Sequence, residues 1–548
     1  MTHTQTQTST QTLTPSPPRR RAYTRTVSGT NRDMLMHSPR PRPTSTPTPA
    51  PTPTPTPTPK QSLPQGTVRA ACALALAGML GACSEPSKLP VNAMVGPQPQ
   101  LVEPARALLP TVHIAPAVGW APGQRPVVAP GLQVSAFGVG LSHPRWLTVL
   151  PNGDVLVAES HAPPRPRQGQ GPRGWVMKKV MAKAGAGVPS ANRITLLRDA
   201  DGDGKPELIT TLLENLHSPF GMVLVGDKLY VANTDAVIEY AYIAGATRID
   251  SPGRQLTDLP GGDLNHHWTK NLIASPDGSK LYATVGSNSN VAENGIEEEQ
   301  GRAAIWEIDR ASGTKRLFAT GLRNPNGMAW TADGVLWTVV NERDELGNDL
   351  VPDYLTSVRD GGFYGWPWSY YGNQVDKRVE PPRPERVARA LIPDYALGAH
   401  VAPLGLVAAG RGALANALHN ASEARASAAA GSASKPPLPA PTVSTASASK
   451  PMAAGASSPN PALAAAAVQG MFVGLHGSWN RRPRSGYKVI YVPFSAGKPV
   501  GEPIDVLGGF VNAAGEAMGR PVGVAIDTRG GLLVADDVGN VVWRVTAR

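Results

Sequence analysis

Short runs of alternating apolar and polar residues recur along the chain from about residue 130, and each run follows a turn rich in glycine. Alternation with a period of two places successive side chains on opposite faces of a β-strand. Each copy therefore predicts a hairpin turn followed by a strand. The six copies are residues 151–157, 225–231, 276–282, 332–337, 470–473 and 529–534.

The spacing of the copies predicts one repeated unit. The turn glycines Gly226, Gly278 and Gly334 are 52 and 56 residues apart, and Gly470 and Gly530 are 60 apart. The longer gap before Gly470 contains an Ala/Ser/Pro-rich run at about residues 408–467, which predicts a low-complexity surface insertion without a core. Units of four short strands at this period predict an all-β fold, a six-bladed β-propeller over residues 106–548.

Composition agrees with many short strands, since the chain has 57 Gly, 56 Pro and only 17% charged residues. The net charge of +11 is concentrated at one end, because residues 1–83 carry nine basic residues and a single acid. The remainder is only mildly basic, so the sequence does not predict nucleic-acid binding.

The first 105 residues predict export and anchoring rather than a folded domain. Residues 1–59 are Thr/Pro/Ser/Arg repeats with too little apolar surface to order, so we expect disorder. Residues 60–83 have the layout of a bacterial lipoprotein signal, ending in Leu80-Gly81-Ala82-Cys83. We expect lipid on Cys83, a Pro-rich tether at 84–105, and an exported, periplasm-facing protein held at a membrane, in our interpretation the outer one. A cleaved signal with an incidental cysteine is the alternative.

Two further segments are charged. Residues 161–183 include Arg165, Arg167, Lys178 and Lys179 and predict a solvated basic loop in preference to a lid or a lipid contact. The loop Asp199-Ala200-Asp201-Gly202-Asp203 with Glu207 aims several carboxylates at one point, as in a Ca²⁺ site. An Asp/Gly hairpin without metal explains the same residues equally well.

A histidine and an Arg/Asn pair stand just before two of the repeats. His267 precedes the third repeat, and Arg323-Asn324 precedes the fourth. An imidazole exchanges a proton near neutral pH, and an Arg/Asn pair can hold an anionic, carbonyl-bearing cofactor by charge-assisted hydrogen bonds. Together these residues predict oxidation chemistry on a β scaffold.

Several segments in order resemble the glucose/sorbosone dehydrogenase family, soluble six-bladed propellers that use pyrroloquinoline quinone (PQQ) and Ca²⁺. The resemblance covers about residues 130–548 apart from the insertion. His266-His267-Trp268 is more similar to the sorbosone-type branch, because glucose-oxidising members have an acid at the position of His266. The segments are 267–272, 275–278, 281–286, 321–329, 341–344 and 361–367.

The resemblance implies a role for each matching residue. His267 matches the general base that takes the substrate's hydroxyl proton, and Arg323 with Asn324 matches the residues that hold the quinone oxygens. Asn326 stands where the family places another polar contact. The backbone carbonyls of Arg343 and Asp344 match those that bind the active-site Ca²⁺.

For the cofactor carboxylates, the resemblance implies Arg520. A basic residue among Arg481, Arg482 and Arg484, of which we choose Arg481, takes the place of a lysine of the preceding blade. A second arginine near Arg520 is missing from the pattern.

The expected function is PQQ- and Ca²⁺-dependent oxidation of an aldose or sugar aldehyde, with electrons passed to an external acceptor. Two alternatives stay open. One is a propeller without redox activity that binds glycans or a protein. The other is a Ca²⁺-dependent lactonase, for which Asp263, Asn324 and Asp344 are the candidate ligands.

Overall fold

The structure is a computed structural model that describes residues 86–105, 111–167, 171–410, 412–432 and 469–548. The expected disordered region, 1–59, and the expected signal segment, 60–83, lie outside the described residues.

Six sheets, each built on four antiparallel strands, form six blades, which confirms the predicted propeller. Three strands precede the first blade, namely β1 (Val95–Gly96), β2 (Val127–Val128) and β3 (Leu132–Gly138). Blade 1 is β4 (Pro144–Val149), β5 (Val155–Glu159), β6 (Arg193–Arg198) and β7 (Leu208–Leu213). Blade 2 is β8 (Met222–Val225), β9 (Lys228–Ala232), β10 (Ala236–Ala241) and β11 (Arg254–Asp258). Blade 3 is β12 (Leu272–Ala274), β13 (Lys280–Val285), β14 (Ala304–Asp309) and β15 (Lys315–Thr320).

The chain continues with three more blades. Blade 4 is β16 (Asn324–Trp330), β17 (Leu336–Asn341), β18 (Pro352–Val358) and β22 (Tyr395–Ala399), with the short strands β19 (Gly362–Phe363), β20 (Ser369–Tyr370) and β21 (Gln374–Val375) in the loop before β22. Blade 5 is β23 (Pro403–Ala409), β24 (Gly470–Leu475), β25 (Lys488–Ser495) and β27 (Ile504–Gly508), with β26 (Lys498–Pro499) beside β25. Blade 6 is β28 (Pro521–Ile526), β29 (Leu532–Asp536) and β30 (Val541–Ala547), and it takes β3 as its fourth strand.

The ring closes by pairing the two ends of the propeller. Strand β3 pairs antiparallel with β30, with Leu132 opposite Ala547 and Val134 opposite Val545. Strand β3 thus forms the outer edge of blade 6 and joins the two ends of the propeller in one sheet.

Both faces of each sheet are buried, because every pair of neighbouring blades shares an apolar layer. Along β5, Leu156 packs toward blade 2, while Val155 and Val157 pack toward blade 6. The second strands therefore read as continuous apolar runs and not as strict alternation.

A second repeat in the sequence explains how closely the inner strands approach. Four blades begin their first strand with proline, any residue, then glycine, ending at Gly221, Gly327, Gly405 and Gly523. A methyl group on Gly221 would collide with the backbone of Leu272 in blade 3, and one on Gly405 with the backbone of Val522 in blade 6. Glycine is thus required where neighbouring inner strands meet around the central channel.

The expected tether is in part docked on the propeller, which corrects the prediction for its described residues, 86–105. A 3₁₀ turn at Val91–Met94 buries Met94, and β1 pairs with β22, with Val95 opposite Leu397. The Pro-rich composition concealed a few apolar residues that add a strand to the edge of blade 4.

The expected insertion, 408–467, also begins with ordered structure. Strand β23 runs to Ala409, and the longest helix follows at Ala413–Ser432. Leu414, Ala415 and Leu418 are buried in the layer between blades 5 and 6. Alanine favours helix, and these few residues supply an apolar stripe. Residues 433–468 lie outside the described part.

The other helices are α1 (Gly171–Lys183) and the single turn α2 (Pro384–Val387); the helix at 413–432 is α3, and a second 3₁₀ turn spans Ile296–Glu299. The basic segment 161–183 is therefore helical in its second half and is not simply a solvated loop. Among the described residues, no helix combines the length and apolar character needed to cross a membrane.

Candidate functional site

Three arginines meet at one mouth of the central channel, where inner strands begin. Arg145 follows Pro144 in blade 1, Arg323 precedes Asn324-Pro325 in blade 4, and Arg520 precedes Pro521 in blade 6. All three are buried. Burial lowers the pKa of Arg145, and nearby Arg520 lowers it further, against the opposing charge of Asp537. The mouth therefore brings three guanidinium groups together, of which Arg145 contacts the Asp537 carboxylate and Arg323 lies 3.5 Å from that of Asp344.

His267 stands at this mouth as a neutral imidazole. Its Nδ1 lies 2.8 Å from the Ser287 carbonyl oxygen and 3.1 Å from Ser287 Oγ. A carbonyl only accepts, so Nδ1 carries the proton and Nε2 keeps its lone pair. Burial, followed by the nearby His266 and Arg323, lowers the pKa of His267 well below its usual value. The group is available as a proton acceptor at neutral pH.

Lys270 fixes the backbone behind His267. Its buried ammonium donates to the carbonyl oxygens of His267 and Trp268, each at 3.2 Å. Sequence reasoning missed this residue, although it stands at an inner-strand start like the three arginines.

Asn324 lies beside His267, with Gly286 between them. A methyl group on Gly286 would collide with both Asn324 Oδ1 and His267 Cβ. Asn324 Oδ1 is buried and has no hydrogen-bond partner among the described residues. An unpaired buried acceptor next to a base is a polar contact that a ligand could complete.

Arg323 is held by protein acceptors from two loops. Its Nε and Nη2 donate to the carbonyl and side-chain oxygens of Asn290 at 3.2 and 3.0 Å, and Nη1 donates to the Glu342 carbonyl at 2.6 Å. Asp344 Oδ2 lies 3.5 Å from Nη2. A guanidinium has five N–H donors, so Nη1 retains one for a ligand.

Arg145 is the arginine that the sequence pattern lacked. Its Nη1 contacts the Asp537 carboxylate, and its guanidinium carbon lies 5.8 Å from the centre of the Trp268 ring. Its Nε is buried and has no partner among the described residues. Ring closure brings blade 1 next to blade 6, so the second arginine beside Arg520 comes from the other end of the propeller.

Arg520 lies at the channel mouth beside Arg145, whereas Arg481 is bonded to other parts of the chain. Arg520 donates to Tyr487 Oη at 3.0 Å, and its Nε is buried and unpaired within the described structure. Arg481 instead donates to the carbonyl oxygens of Asn348 and Pro483, at 2.9 and 3.0 Å, and to Ser87 Oγ at 2.7 Å. These bonds engage Arg481 in holding the N-terminal segment, and its expected contact with a cofactor stays a prediction.

Asn326 links two blades. Its amide donates to Thr269 Oγ1 of blade 3 at 3.2 Å, and its Oδ1 is buried without a partner in the described residues. Its expected contact with a cofactor stays a prediction.

Of the two expected Ca²⁺ ligands, the backbone carbonyls of Arg343 and Asp344, that of Asp344 is already occupied. The Asp344 carbonyl oxygen accepts from Asn290 Nδ2 at 3.2 Å and from Arg378 Nη1 at 3.0 Å, which uses both lone pairs. The Arg343 side chain is fully buried and donates to Pro367 and to Asp376, and a Ca²⁺ contact of its carbonyl oxygen stays a prediction. We therefore assign no metal-dependent step to these residues.

The acidic loop comes together away from the channel mouth. Ligand oxygens of Asp199, Asp201, Asp203 and Glu207 lie within 4.8 Å of one another. Strand β6 begins at Arg193, and the loop follows its other end, at Arg198. The Arg529 guanidinium contacts Asp199 of the loop. Calcium at this loop stays a prediction, and its position excludes a part in chemistry at His267.

The candidate lactonase ligands do not share one buried site, since Asp263 is exposed, Asp344 is half-buried and only Asn324 of the three is buried. Asp344 is paired with Asn480 Nδ2 at 2.7 Å and with Arg323.

The channel mouth suits a planar, anionic quinone. Arg145 and Arg520 present unpaired Nε–H groups, Asn324 an unpaired oxygen, and Trp268 an aromatic ring beside Arg145. Unpaired buried donors on fixed cations match the carboxylates of PQQ.

Comparison with known proteins assigns most of the propeller to one family. A family model described as TrAA12-like matches residues 194–353 and 389–548, more than half of the chain. The chain is also 25% identical over 215 residues to an uncharacterized protein of Borreliella burgdorferi, covering 37% of this chain and 55% of that protein. The chain thus spans about half the length of the curated relative it matches.

Two solved structures share the fold. One is the calcium structure of the Trichoderma reesei Carbohydrate-Active Enzymes Family AA12 protein, 17% identical with a TM-score of 0.55, covering 80% of this chain and 99% of that one. The other is the holo form of the pyranose dehydrogenase PQQ domain from Coprinopsis cinerea, 19% identical with a TM-score of 0.55, covering 79% and 100%. At these identities the likeness shows the fold.

Proposed function

The chain belongs to the TrAA12-like family, and on this basis we propose that it is a PQQ-dependent dehydrogenase that oxidises an aldose or a sorbosone-like sugar aldehyde. One observation carries the proposal. A neutral imidazole, His267, stands beside the unpaired Asn324 oxygen at a mouth lined by three buried arginines. A relative of the same fold is described as the PQQ domain of a pyranose dehydrogenase in its holo form, which supports the cofactor.

The residues at the channel mouth would have separate roles in binding and in proton transfer. Arg145, Arg520 and the remaining Arg323 donor would hold the anionic cofactor, and bound PQQ supplies a two-electron oxidant. His267 Nε2 would take the proton of the substrate hydroxyl as hydride leaves the carbon that bears this hydroxyl. Ser287 holds the ring through Nδ1, and Lys270 holds the backbone that carries it. Electrons then pass to an external acceptor.

The test is turnover by the purified full chain loaded with PQQ, followed as reduction of an artificial dye with a panel of sugars. We expect His267→Gln to lower kcat by about 10²- to 10⁴-fold, the usual contribution of a general base, while PQQ affinity is retained. His419→Gln is the matched control, because His419 lies on α3 beside Glu423, away from the channel. Equal rates for wild type and His267→Gln would refute the assignment of the base.

A further inference from the structure

A segment of blade 1 reaches past blade 2 to the loop that carries His266 and His267. We call residues 160–167, which follow β5, the mouth strap. Ser160 Oγ donates to the Pro219 carbonyl of blade 2 at 2.5 Å. Arg165 Nη1 donates to the His266 carbonyl at 2.8 Å, and Arg167 Nη2 lies 3.0 Å from Glu298 Oε1, both next to blade 3. The strap is therefore anchored on both sides of His267.

The two arginines of the mouth strap differ in how their charge is balanced. Arg167 is exposed and paired with Glu298. Arg165 is half-buried and contacts a neutral carbonyl, and burial alone lowers its pKa, with no carboxylate of the described residues acting on it. A partly desolvated guanidinium without an anionic partner is costly unless a ligand supplies one.

Among the described residues, the titratable groups near Arg165 do not form an ion pair with it. Burial, then Arg323 and Arg165 itself, lower the pKa of His266 to about 4, so this ring is neutral at pH 7. The nearby Glu293 carboxylate accepts from the backbone N–H groups of Asn290 and Val291, at 2.9 and 2.7 Å. The Asp344 carboxylate is bound by Asn480, His400 and Arg323. Each of these two acids already has partners of its own.

We propose that Arg165 binds a carboxylate carried by the substrate, so that the preferred substrate is an anionic sugar such as a uronic acid. This inference rests on the proposed function and deepens it. In the oxidation, C1 of the sugar loses a hydride to the quinone oxidant and its hydroxyl loses a proton to His267, so a C=O bond forms at C1. The substrate carboxylate is unchanged and serves only to position the sugar.

The test compares glucuronate with glucose, which differ only in the carboxylate at C6. Wild type should show a kcat/KM for glucuronate at least about tenfold above that for glucose, the effect of one charge-assisted hydrogen bond. The ratio should fall at high ionic strength, since part of the contact is exposed. In Arg165→Gln the ratio should fall towards one, mainly through KM for glucuronate. Arg167→Gln is the matched control and should keep the wild-type ratio.

Two direct binding measurements separate a role of Arg165 in substrate binding from a role in cofactor binding and from failure of the proposed function. PQQ affinity, measured by fluorescence quenching, should be the same in Arg165→Gln and wild type; a loss would assign Arg165 to the cofactor and overturn the proposal. Calorimetric titration of glucuronate into the quinone-free full chain needs no turnover. Wild type should bind it about tenfold more tightly than Arg165→Gln does. Equal binding in the two proteins, or a wild-type preference for glucose, would overturn the proposal even if sugar oxidation is observed.

Discussion

His267 combines a neutral imidazole with fixed positive charge around it. Burial, His266 and Arg323 all oppose its protonation, while the Ser287 carbonyl fixes the proton on Nδ1. This environment makes His267 a weaker base than an imidazole in water, and it therefore keeps the lone pair free over a wide pH range. The residue is therefore suited to accept a proton during oxidation and to release it afterwards.

This environment predicts the pH dependence of turnover. A group whose pKa is lowered in the folded protein stays unprotonated until the pH falls below its usual value of 6.5. We expect kcat/KM of the PQQ-loaded chain to be level from about pH 6.5 to 8, with the acid limb lying below pH 6.5. The measurement is a pH profile of dye reduction at constant ionic strength. A limb centred above pH 7 would show that another group accepts the proton.

Single residues were predictable where the adjoining residues in the sequence form a recognisable segment. His267, Arg323 and Asn324 follow from their local segments, and the structure brings them together. Arg145 did not follow, because its nearness to Arg520 depends on joining residues more than 370 positions apart. The bonds of Arg481 to buried carbonyl oxygens were not predictable either, because an arginine that binds carbonyls has the same local sequence pattern as one that binds a ligand.

At the scale of elements, glycines set the distances between inner strands. Gly221, Gly327, Gly405 and Gly523 let backbones of neighbouring blades touch, and Gly286 lets His267 and Asn324 stand side by side. The hairpin turns were predictable because turns have a local residue chemistry. Helix α3 and strand β1 were not, since a few apolar residues in alanine- or proline-rich sequence give no clear period.

The substitution Gly286→Ala tests this packing. The added methyl group would displace Asn324 Oδ1 and His267, so we expect kcat/KM to fall at least about tenfold, as small misplacements of catalytic groups commonly do. The thermal unfolding midpoint should fall by a few degrees, in line with overpacking costs of about 1–3 kcal/mol. The control is Gly508→Ala, whose new methyl group meets no atom within 4 Å. Full activity in Gly286→Ala would contradict the described site.

At the scale of the whole molecule, closure of the ring brings residues from both ends of the propeller together at the channel mouth. Strand β3 completes blade 6 and places Arg145 of blade 1 beside Arg520, so the charge at the channel mouth exists only in the closed propeller. The number of blades was predictable from the repeated turns. The closing strand was not, because β3 has no turn signal of its own and its partner lies at the far end of the chain.

Titration of the quinone-free full chain with PQQ, followed by fluorescence quenching, tests the central claim most directly. We predict saturable binding of about one PQQ per chain, weakened about tenfold or more in Arg145→Gln, which loses charge-assisted hydrogen bonds. Binding should be unchanged in Arg254→Gln, where an exposed arginine on the outer strand of blade 2 pairs with Glu239. Absence of saturable binding to wild type, or equal affinity in wild type and Arg145→Gln, would contradict a cofactor site at the channel mouth.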